Sequence, residues 1–455
     1  MVNRREFLGV TLGAGATLSL TPQLLRALQQ YQGGKLIQRA IPSTGEMLPV
    51  IGLTLSNHAA CENPAALKAV LKTFYDNGGR LFDTMHQNSK TAEEVTVKLV
   101  NELGIQNKLF YSWRSLPIAD PALTPPPPPA DGRGRGRGSP PPPPDPATLK
   151  PHVETMLAKL KVPKIDLVMV GAGDLARLAV LKEEKKAGRV RYIGVMGSSP
   201  QLESVMRNEP IDFIGTPYTI ATASSYAIAN RSVEETILPL AQERKIGVVA
   251  FFPFGGANGA SCTSDAGLFA RVVNKPLPEW AAEFDAKTWA QFFLKYVVSH
   301  PAVTVARVGT TKATHMLDDI GGGIGRLPDE AMRKRMAALF DSFPVPAVPQ
   351  PGSPPPQVAQ GPEVVLSAAV LDRYVGEYKA ASGFTATFRR DGTTLFVKPG
   401  NNPEAALVAR SETRLSDARG PVFEFQLDAQ GRVVGAYLEQ LTPMGTPSRL
   451  WLERK

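Results

Sequence analysis

The sequence predicts an α/β fold, a (β/α)₈ barrel, followed by a smaller all-β domain, and three observations carry this prediction. Short apolar runs alternate with amphipathic segments over residues 37–344, the pattern of parallel strands joined by helices. Eight such runs fit there, the number that closes a barrel. Residues 363–455 change to strand-like runs separated by turn signals, which indicates a β-meander or small barrel.

Each predicted strand is a short apolar run bounded by polar residues or glycine. A doubly wound sheet is the alternative, but no G-x-G-x-x-G turn follows an early strand. The eight barrel strands are predicted at Val50–Leu55, Leu81–Asp83, Leu109–Ser112, Asp166–Val170, Tyr192–Val195, Phe213–Thr216, Gly247–Phe252 and Val303–Val308. Helices are predicted at Pro64–Asn77, Ala92–Leu103, Lys150–Leu160 and Glu234–Arg244. Strands of the second domain are predicted at Phe384–Arg389, Thr394–Lys398, Val422–Leu427, Val433–Leu438 and Arg449–Leu452.

Two segments of low complexity divide the chain. Residues 121–146 combine polyproline runs with an Arg-Gly repeat, a composition that cannot bury a core and predicts a disordered insert in the barrel. A ligand for a proline-recognition domain is the alternative. Residues 345–362 are a proline-rich linker by composition. The predicted domains are therefore 37–344 and 363–455.

Composition and charge argue against a nucleic-acid-binding or membrane-spanning protein. Hydrophobic residues make up 43% of the 455 residues and charged residues 20%, with a net charge of +9. These values are ordinary for a globular protein, and no nucleic-acid-binding motif accompanies the charge. No apolar run reaches the roughly 20 residues of a membrane span. We therefore expect no nucleic-acid partner and no transmembrane span. We also expect a monomer and no metal site.

The N-terminus predicts export. Arg4 and Arg5 are followed by Phe7-Leu8 and then by an apolar run of about a dozen residues, which is typical of a twin-arginine signal peptide. We expect a signal over residues 1–30 and a periplasmic location; an amphipathic N-terminal helix is the alternative. Cys61 and Cys262 are the two cysteines, and they form either one disulfide or two unrelated thiols.

Several short motifs occur in the order and spacing of one known family. They are Ile51-Gly52-Leu53, Phe82-Asp83-Thr84, Lys164-Ile165-Asp166-Leu167, Gly188-Arg189-Val190, Phe252-Pro253-Phe254-Gly255 and Val308-Gly309-Thr310-Thr311-Lys312. Together they resemble the aldo/keto reductases over residues 37–344. The resemblance implies a TIM barrel whose mouth carries out NADP(H)-dependent reduction of a carbonyl substrate.

The family's proton relay uses an Asp, a Tyr, a Lys and a His at the barrel mouth. By resemblance Asp83 takes the acidic position, Asn88 stands at the Tyr position, Arg114 at the Lys position and Gly171 at the His position. The candidate catalytic residues are the positions of this site, Asp83, Arg114 and Asn88. Asparagine does not donate a proton near neutral pH. His86 or Tyr111 would therefore have to supply the proton, and histidine titrates in the required range.

Cofactor contacts are implied by the same resemblance. Gly309, Thr310, Thr311 and Lys312 resemble the loop that holds the adenosine phosphate of NADP(H), and Pro253-Phe254 resembles the turn after the seventh strand. At the nicotinamide end, Met196-Gly197 stands where the family has a Ser-Asn pair. Gly215 stands where it has a Gln, with Tyr218 three residues later.

Three functions remain open from the sequence. The chain is a reductase with rearranged chemistry, a non-catalytic periplasmic small-molecule-binding protein on a reductase barrel, or a structural partner of another protein. In the second case Asp83 and Arg114 form a structural ion pair. The segment Leu371–Tyr378 resembles the lipocalin-like domain appended to bacterial serine hydrolases of the β-lactamase type, and the resemblance implies a fold for residues 363–455 and no hydrolysis.

Overall fold

The structure, a computed structural model, contains two closed barrels. The predicted signal peptide, His86, Asn88, Cys61, Cys262, the linker up to residue 361 and most of the insert lie outside the described residues. No helix in the described part of the chain is long and apolar enough to cross a membrane. The described residues are 34–55, 62–83, 90–114, 145–197, 200–221, 231–255, 267–344, 362–381, 383–417, 420–441 and 447–455.

The first barrel confirms the predicted fold class, with every predicted strand present within two residues of its expected ends. A hairpin of β1 (Gln38–Ala40) and β2 (Met47–Pro49) precedes it. Eight parallel strands then close in the order β10-β3-β4-β5-β6-β7-β8-β9. Their bounds are β3 Ile51–Thr54, β4 Leu81–Asp83, β5 Phe110–Arg114, β6 Ile165–Gly171, β7 Val190–Met196, β8 Phe213–Pro217, β9 Gly247–Phe251 and β10 Val303–Gly309.

Helices cover the outside of this barrel. They are α1 Pro64–Asp76, α2 Lys90–Leu103, α3 Leu149–Leu160, α4 Leu175–Lys186, α5 Gln201–Asn208, α6 Ile237–Glu243, α7 Trp289–Ser299, α8 Ala313–Gly321 and α9 Glu330–Asp341. Short 3₁₀ helices lie at Gln106–Lys108, Pro146–Thr148, Arg231–Glu234, Gly267–Arg271 and Glu279–Phe284.

Local sequence explains where the helices begin and end. The Asn63 side chain accepts a hydrogen bond from the Ala65 amide (2.8 Å), and Pro64 occupies the first helical position of α1, as N-terminal capping favours. Gly78 follows the helix with a φ of 93°. The predicted helix Glu234–Arg244 is corrected to Ile237–Glu243. Pro239 has no amide hydrogen to bond a residue of an earlier turn, so the helix starts late.

Side chains of the strands alternate between two cores. Leu81, Met169, Phe213 and Phe251 point into the barrel interior, whereas their sequence neighbours join the layer between strands and helices. Gly215 faces inward, and a Cβ there would lie 2.4 Å from the Phe251 ring. Large rings from some strands therefore fill the space that glycines on others leave.

One end of the barrel is closed by the β1–β2 hairpin. Ile41 and Leu48 join the interior core. The turn residue Glu46 bonds both Arg191 and the Tyr192 hydroxyl. A candidate site is therefore expected at the opposite end, where the carboxyl ends of the strands lie.

The second domain is a closed antiparallel barrel, which confirms the predicted small all-β domain. The short helix α10 (Ala368–Asp372) precedes the strands. Three strands were not predicted, because they are short and carry little apolar alternation: β11, β14 and β15. The strands are β11 Gly376–Lys379, β12 Thr385–Asp391, β13 Thr394–Pro399, β14 Ala405–Ala409, β15 Arg414–Asp417, β16 Val422–Leu427, β17 Val433–Leu441 and β18 Pro447–Arg454.

Aromatic rings fill the interior of the second barrel. Tyr374 stacks on Phe425 with ring centroids 4.1 Å apart, and Phe388 packs edge-on against Phe423 and Phe425. The Tyr374 hydroxyl donates to the Glu412 carbonyl (2.7 Å). Ring packing fills this core, and the Tyr374 hydroxyl has a hydrogen-bond partner.

The two barrels are in contact near the start of α1. The Tyr437 hydroxyl of β17 donates to the Glu62 carboxylate. Trp451 of β18 lies opposite Tyr437 on the sheet, and both side chains are buried. A cleft of about 250 Å³ between the domains is lined by Pro64 and Val95 on one side and Lys379 and Trp451 on the other.

Candidate functional site

An ion cluster lies inside the first barrel at the carboxyl ends of its strands. Asp83 ends β4, Arg114 ends β5, and Arg307 lies near the end of β10. Arg114 Nε is 3.2 Å from Asp83 Oδ2, and Arg307 Nη1 donates to the same oxygen. Asp83 is fully buried, and the two arginine side chains are 4% and 3% exposed. The structure therefore brings the predicted Asp83 and Arg114 together and adds Arg307.

Both guanidinium groups lie near the ring of Phe251. The Arg307 guanidinium carbon is 4.1 Å and that of Arg114 5.1 Å from the ring centroid, within the range of cation–π attraction. Burial, with the charge of Arg307 beside it, lowers the pKa of Arg114 to about 10. Arg114 is therefore still protonated near neutral pH, and the cluster holds two cations around the Asp83 carboxylate.

Two polar atoms of this cluster lack hydrogen-bond partners. They are Arg307 Nε and Ser112 Oγ, both buried. Ser112 is directly opposite Asp83 in the β4–β5 register, on the same face of the sheet. An unsatisfied polar group in a buried position is costly unless something binds it.

Tyr111 does not serve as the replacement proton donor. It lies between Phe110 and Ser112 on β5, and its ring belongs to the core between the strands and the helices. Its amide donates to Asp166 (2.8 Å). Burial, together with the charge of Asp166, raises the pKa of its hydroxyl. The Tyr111 side chain is therefore in a different layer from Asp83 and Arg114 and does not support a role as proton donor. For His86 the hypothesis stays a prediction.

His86 and Asn88 lie in a stretch of the chain outside the described residues. Gly171 ends β6 and is half-buried, with nothing within 4 Å of a hypothetical Cβ. The position that a histidine occupies in the family by resemblance is therefore open space on this side of the mouth.

The described ends of β7 and β8 lack the polar side chains with which the family, by resemblance, holds a nicotinamide ring. At Gly215, the Phe251 ring occupies the space that a glutamine side chain requires. Met196, at the end of β7, points its side chain into the apolar interior core. The family's way of holding the nicotinamide amide therefore does not fit these residues.

Tyr218 belongs to a buried network instead of the mouth. Its hydroxyl donates to Glu234 (2.5 Å) and accepts from Arg333 (2.8 Å). The Tyr296 hydroxyl also donates to Glu234 (2.7 Å), and Arg333 forms an ion pair with it at 2.6 Å. This network links β8 to helices α7 and α9 and has a structural role.

The loop predicted to hold the adenosine phosphate leads into a helix. Gly309 ends β10, and Lys312 is the residue before α8. The Thr310 hydroxyl accepts from the Lys312 amide (3.2 Å), and the Lys312 side chain is exposed. A helix N-terminus beside an exposed cation fits a phosphate group.

Pro253 and Phe254 follow β9 at the same end of the barrel. Pro253 is buried, whereas the half-buried Phe254 ring packs on Phe269 with centroids 5.2 Å apart. Phe252 before them has a φ of 52°, an uncommon conformation for a bulky residue that indicates local strain.

Known proteins were compared with the chain by sequence and by structure. The aldo/keto reductase family model matches residues 51–338, more than half of the chain. A probable aldo-keto reductase of Glycine max is 28% identical over 214 residues, which are 42% of this chain and 59% of the relative. The chain thus spans less than two thirds of that relative.

Among solved structures, the holo form of an aldo-keto reductase from Bacillus halodurans has a TM-score of 0.49 and 17% identity, covering 67% of this chain and 96% of its own. An aldo-keto reductase from Klebsiella pneumoniae, solved in complex with NADPH, has a TM-score of 0.48 and 18% identity, covering 68% of this chain and 95% of its own. On the match of the family model to the barrel strands and helices described above, this chain belongs to the aldo/keto reductase family.

Proposed function

We propose that this member of the family binds a small organic molecule at its barrel mouth and does not reduce carbonyls through the family's proton relay. The observation that carries the proposal is the pairing of Asp83 with two arginines. In the relay that the resemblance implies, the Asp tunes a Tyr. Here the position five residues after Asp83 is Asn88, and Tyr111 faces the helices.

A direct test is the oxidation of NADPH by the purified full chain with a panel of aldehydes and ketones. We expect no turnover above that of heat-denatured protein, because neither the described tyrosines of the barrel nor Asn88 offers a proton to the substrate. Saturable turnover with any carbonyl of the panel would contradict the proposal.

The alternative is a reductase that binds NADP(H), the cofactor that family resemblance implies. It is favoured by the Gly309–Lys312 loop at the start of α8. Gly309, Thr310, Thr311 and Lys312 would hold the adenosine phosphate, whereas the residues around Gly215 do not fit the nicotinamide end.

Titration with NADPH, followed by cofactor fluorescence, separates the two functions. Micromolar binding that Lys312→Ala weakens about tenfold would support the reductase, because loss of a charged phosphate contact has about that effect. Lys312 is exposed, so its replacement leaves the fold intact. Absence of binding at millimolar NADPH would support a binding protein that uses no dinucleotide.

We further propose that the protein is exported to the periplasm through a twin-arginine signal. The support is the Arg4-Arg5 pair and the apolar run after it. Fractionation of cells that express the full chain should place it in the periplasm, and Arg4→Lys with Arg5→Lys should retain it in the cytoplasm. An unchanged location of the variant would contradict export by this route.

For the second domain we propose a lipocalin-like identity. Its support is the closed meander of eight antiparallel strands. The interior rings Tyr374, Phe388 and Phe425 occupy its centre, which favours a docking role over transport of a ligand. Titration with a fluorescent fatty acid should accordingly give no saturable binding.

A further inference from the structure

We propose that the ligand of the barrel mouth is an organic monocarboxylate, received by the guanidinium groups of Arg114 and Arg307; this rests on the proposed function. Arg307 contributes to no family motif found in the sequence. It lies on β10, the last barrel strand, which is separated from β4 by β3 alone. From there its side chain forms an ion pair with Asp83.

The charge of the cluster is the first argument. Two guanidinium groups and one carboxylate, all buried, leave one positive charge in excess among the described residues. An uncompensated charge out of contact with water is strongly unfavourable. A bound monoanion would neutralise it, whereas a dianion would reverse it.

The hydrogen-bond inventory is the second argument. Arg307 Nε and Ser112 Oγ are buried without a partner, and each lies beside Asp83 in the barrel interior. Planar guanidinium groups present parallel N–H donors that match the two oxygens of a carboxylate. The serine hydroxyl adds a donor of the right kind for the same group.

The surroundings argue for an organic anion. The Phe251 ring lies 4.1 Å from the Arg307 guanidinium carbon, and the Phe252 ring lies 5.9 Å from it. The Phe251 ring belongs to the interior core, which also contains Met196, and the Phe252 ring packs against that core. An apolar wall beside a few convergent polar groups is the usual composition of a small-molecule site.

Calorimetric titration of the full chain near pH 7 tests the inference with matched probes. Benzoate and propanoate are each compared with the neutral amide of the same shape, benzamide and propanamide. We expect each acid to bind at least about tenfold more tightly than its amide, because only the acid supplies the missing charge. Equal affinity of acid and amide would overturn the proposal.

Variants locate the binding. Arg307→Met should weaken benzoate binding at least about tenfold, and Arg307→Lys should have a smaller effect because it keeps the charge without the planar fork. Arg326→Met is the control, since that exposed arginine pairs with Asp285 on the surface. Benzoate affinity should be unchanged there.

Ser112→Ala keeps the test decisive if Arg307→Met does not fold, because it removes one hydroxyl alone. We expect about a threefold loss of benzoate affinity. Unchanged affinity in Ser112→Ala and Arg307→Lys, or tighter binding of chloride or inorganic phosphate than of benzoate, would overturn the proposal. NADPH turnover is a separate readout, so failure of the proposed function is seen independently of carboxylate binding.

Discussion

The guanidinium group of Arg307 lies 4.1 Å from the centroid of the Phe251 ring while it donates to the buried carboxylate of Asp83. Phe251 also lies beneath Arg114. One ring of β9 is thus in contact with both guanidinium groups. The Asp83 carboxylate is therefore part of a packed ion cluster. We expect the stability of the barrel to depend on the balance between the one negative and the two positive charges of this cluster.

The charges of the ion cluster predict that removing Asp83 destabilises the protein more than removing Arg307. Asp83→Asn should lower the free energy of unfolding by about 3–5 kcal/mol, because it leaves two buried cations without a carboxylate. Arg307→Met should cost less, about 1–2 kcal/mol, since Arg114 still neutralises Asp83. Urea unfolding of the two variants beside the wild type measures both values. A larger cost for Arg307→Met than for Asp83→Asn would contradict this account.

Gly215 and Phe251 should be energetically coupled. Gly215→Gln should destabilise the barrel by about 2 kcal/mol or more, because its Cβ would lie 2.4 Å from the Phe251 ring and overpacking has this cost. In Gly215→Gln with Phe251→Ala the added side chain gains room. The double variant should be more stable than the sum of the single effects predicts, by about 1 kcal/mol.

The control for that cycle is Gly215→Gln combined with Phe388→Ala. Phe388 lies in the core of the second barrel, so the two effects should add. Coupling of the same size in the control pair would show that the effect is not steric.

Much of the fold could be predicted because buried parallel strands form continuous apolar runs bounded by breaks. Leu81–Asp83 and the seven other barrel strands have this pattern. The strand Arg414–Asp417 lacks this pattern. It is a strand because it pairs with the adjacent strands β14 and β16 of the second barrel. Register in an antiparallel barrel is set by such non-local pairs, which local composition does not encode.

Two of the three residues of the ion cluster could be predicted, because Asp83 and Arg114 end two consecutive strands. Arg307 was missed, although a signal exists: it is a lone charge in the apolar run Val303–Val308. A charge inside a buried strand needs a partner. Its partner lies 224 residues away in the chain, and only closure of the barrel between β10 and β3 brings the two together.

The contact between the barrels should be measurable as a coupling energy. Tyr437→Phe removes the donor and Glu62→Ala the acceptor of the hydrogen bond that joins the domains. The double variant should be about 1 kcal/mol more stable than additivity predicts, because the bond can be lost only once. Urea unfolding of the four proteins gives this value.

Tyr374→Phe provides the matched control for the contact. Its hydroxyl donates within the second barrel, so its effect should add to that of Glu62→Ala. Additivity of the Tyr437 and Glu62 pair as well would mean that the domains are not held by this contact in solution.

His300 should make stability depend on pH. Its Nδ1 accepts a hydrogen bond from the Ala302 amide (3.2 Å), which requires an unprotonated nitrogen. Burial, followed by the charge of Arg333, lowers the pKa of His300 to about 4, whereas the unfolded chain has about 6.5. The unfolded state therefore binds the proton first as the pH falls. The stabilisation is complete above about pH 6.5 and is lost progressively toward pH 4.

Urea unfolding at pH 7 and at pH 4.5 measures this loss. His300→Asn retains an oxygen that can accept from the Ala302 amide but does not titrate. We expect the wild type to lose more stability than the variant between the two pH values. Carboxylates titrate equally in both proteins, so their contribution cancels in the comparison. Equal losses would show that the folded and unfolded states bind the His300 proton equally, which would contradict a lowered pKa in the folded protein.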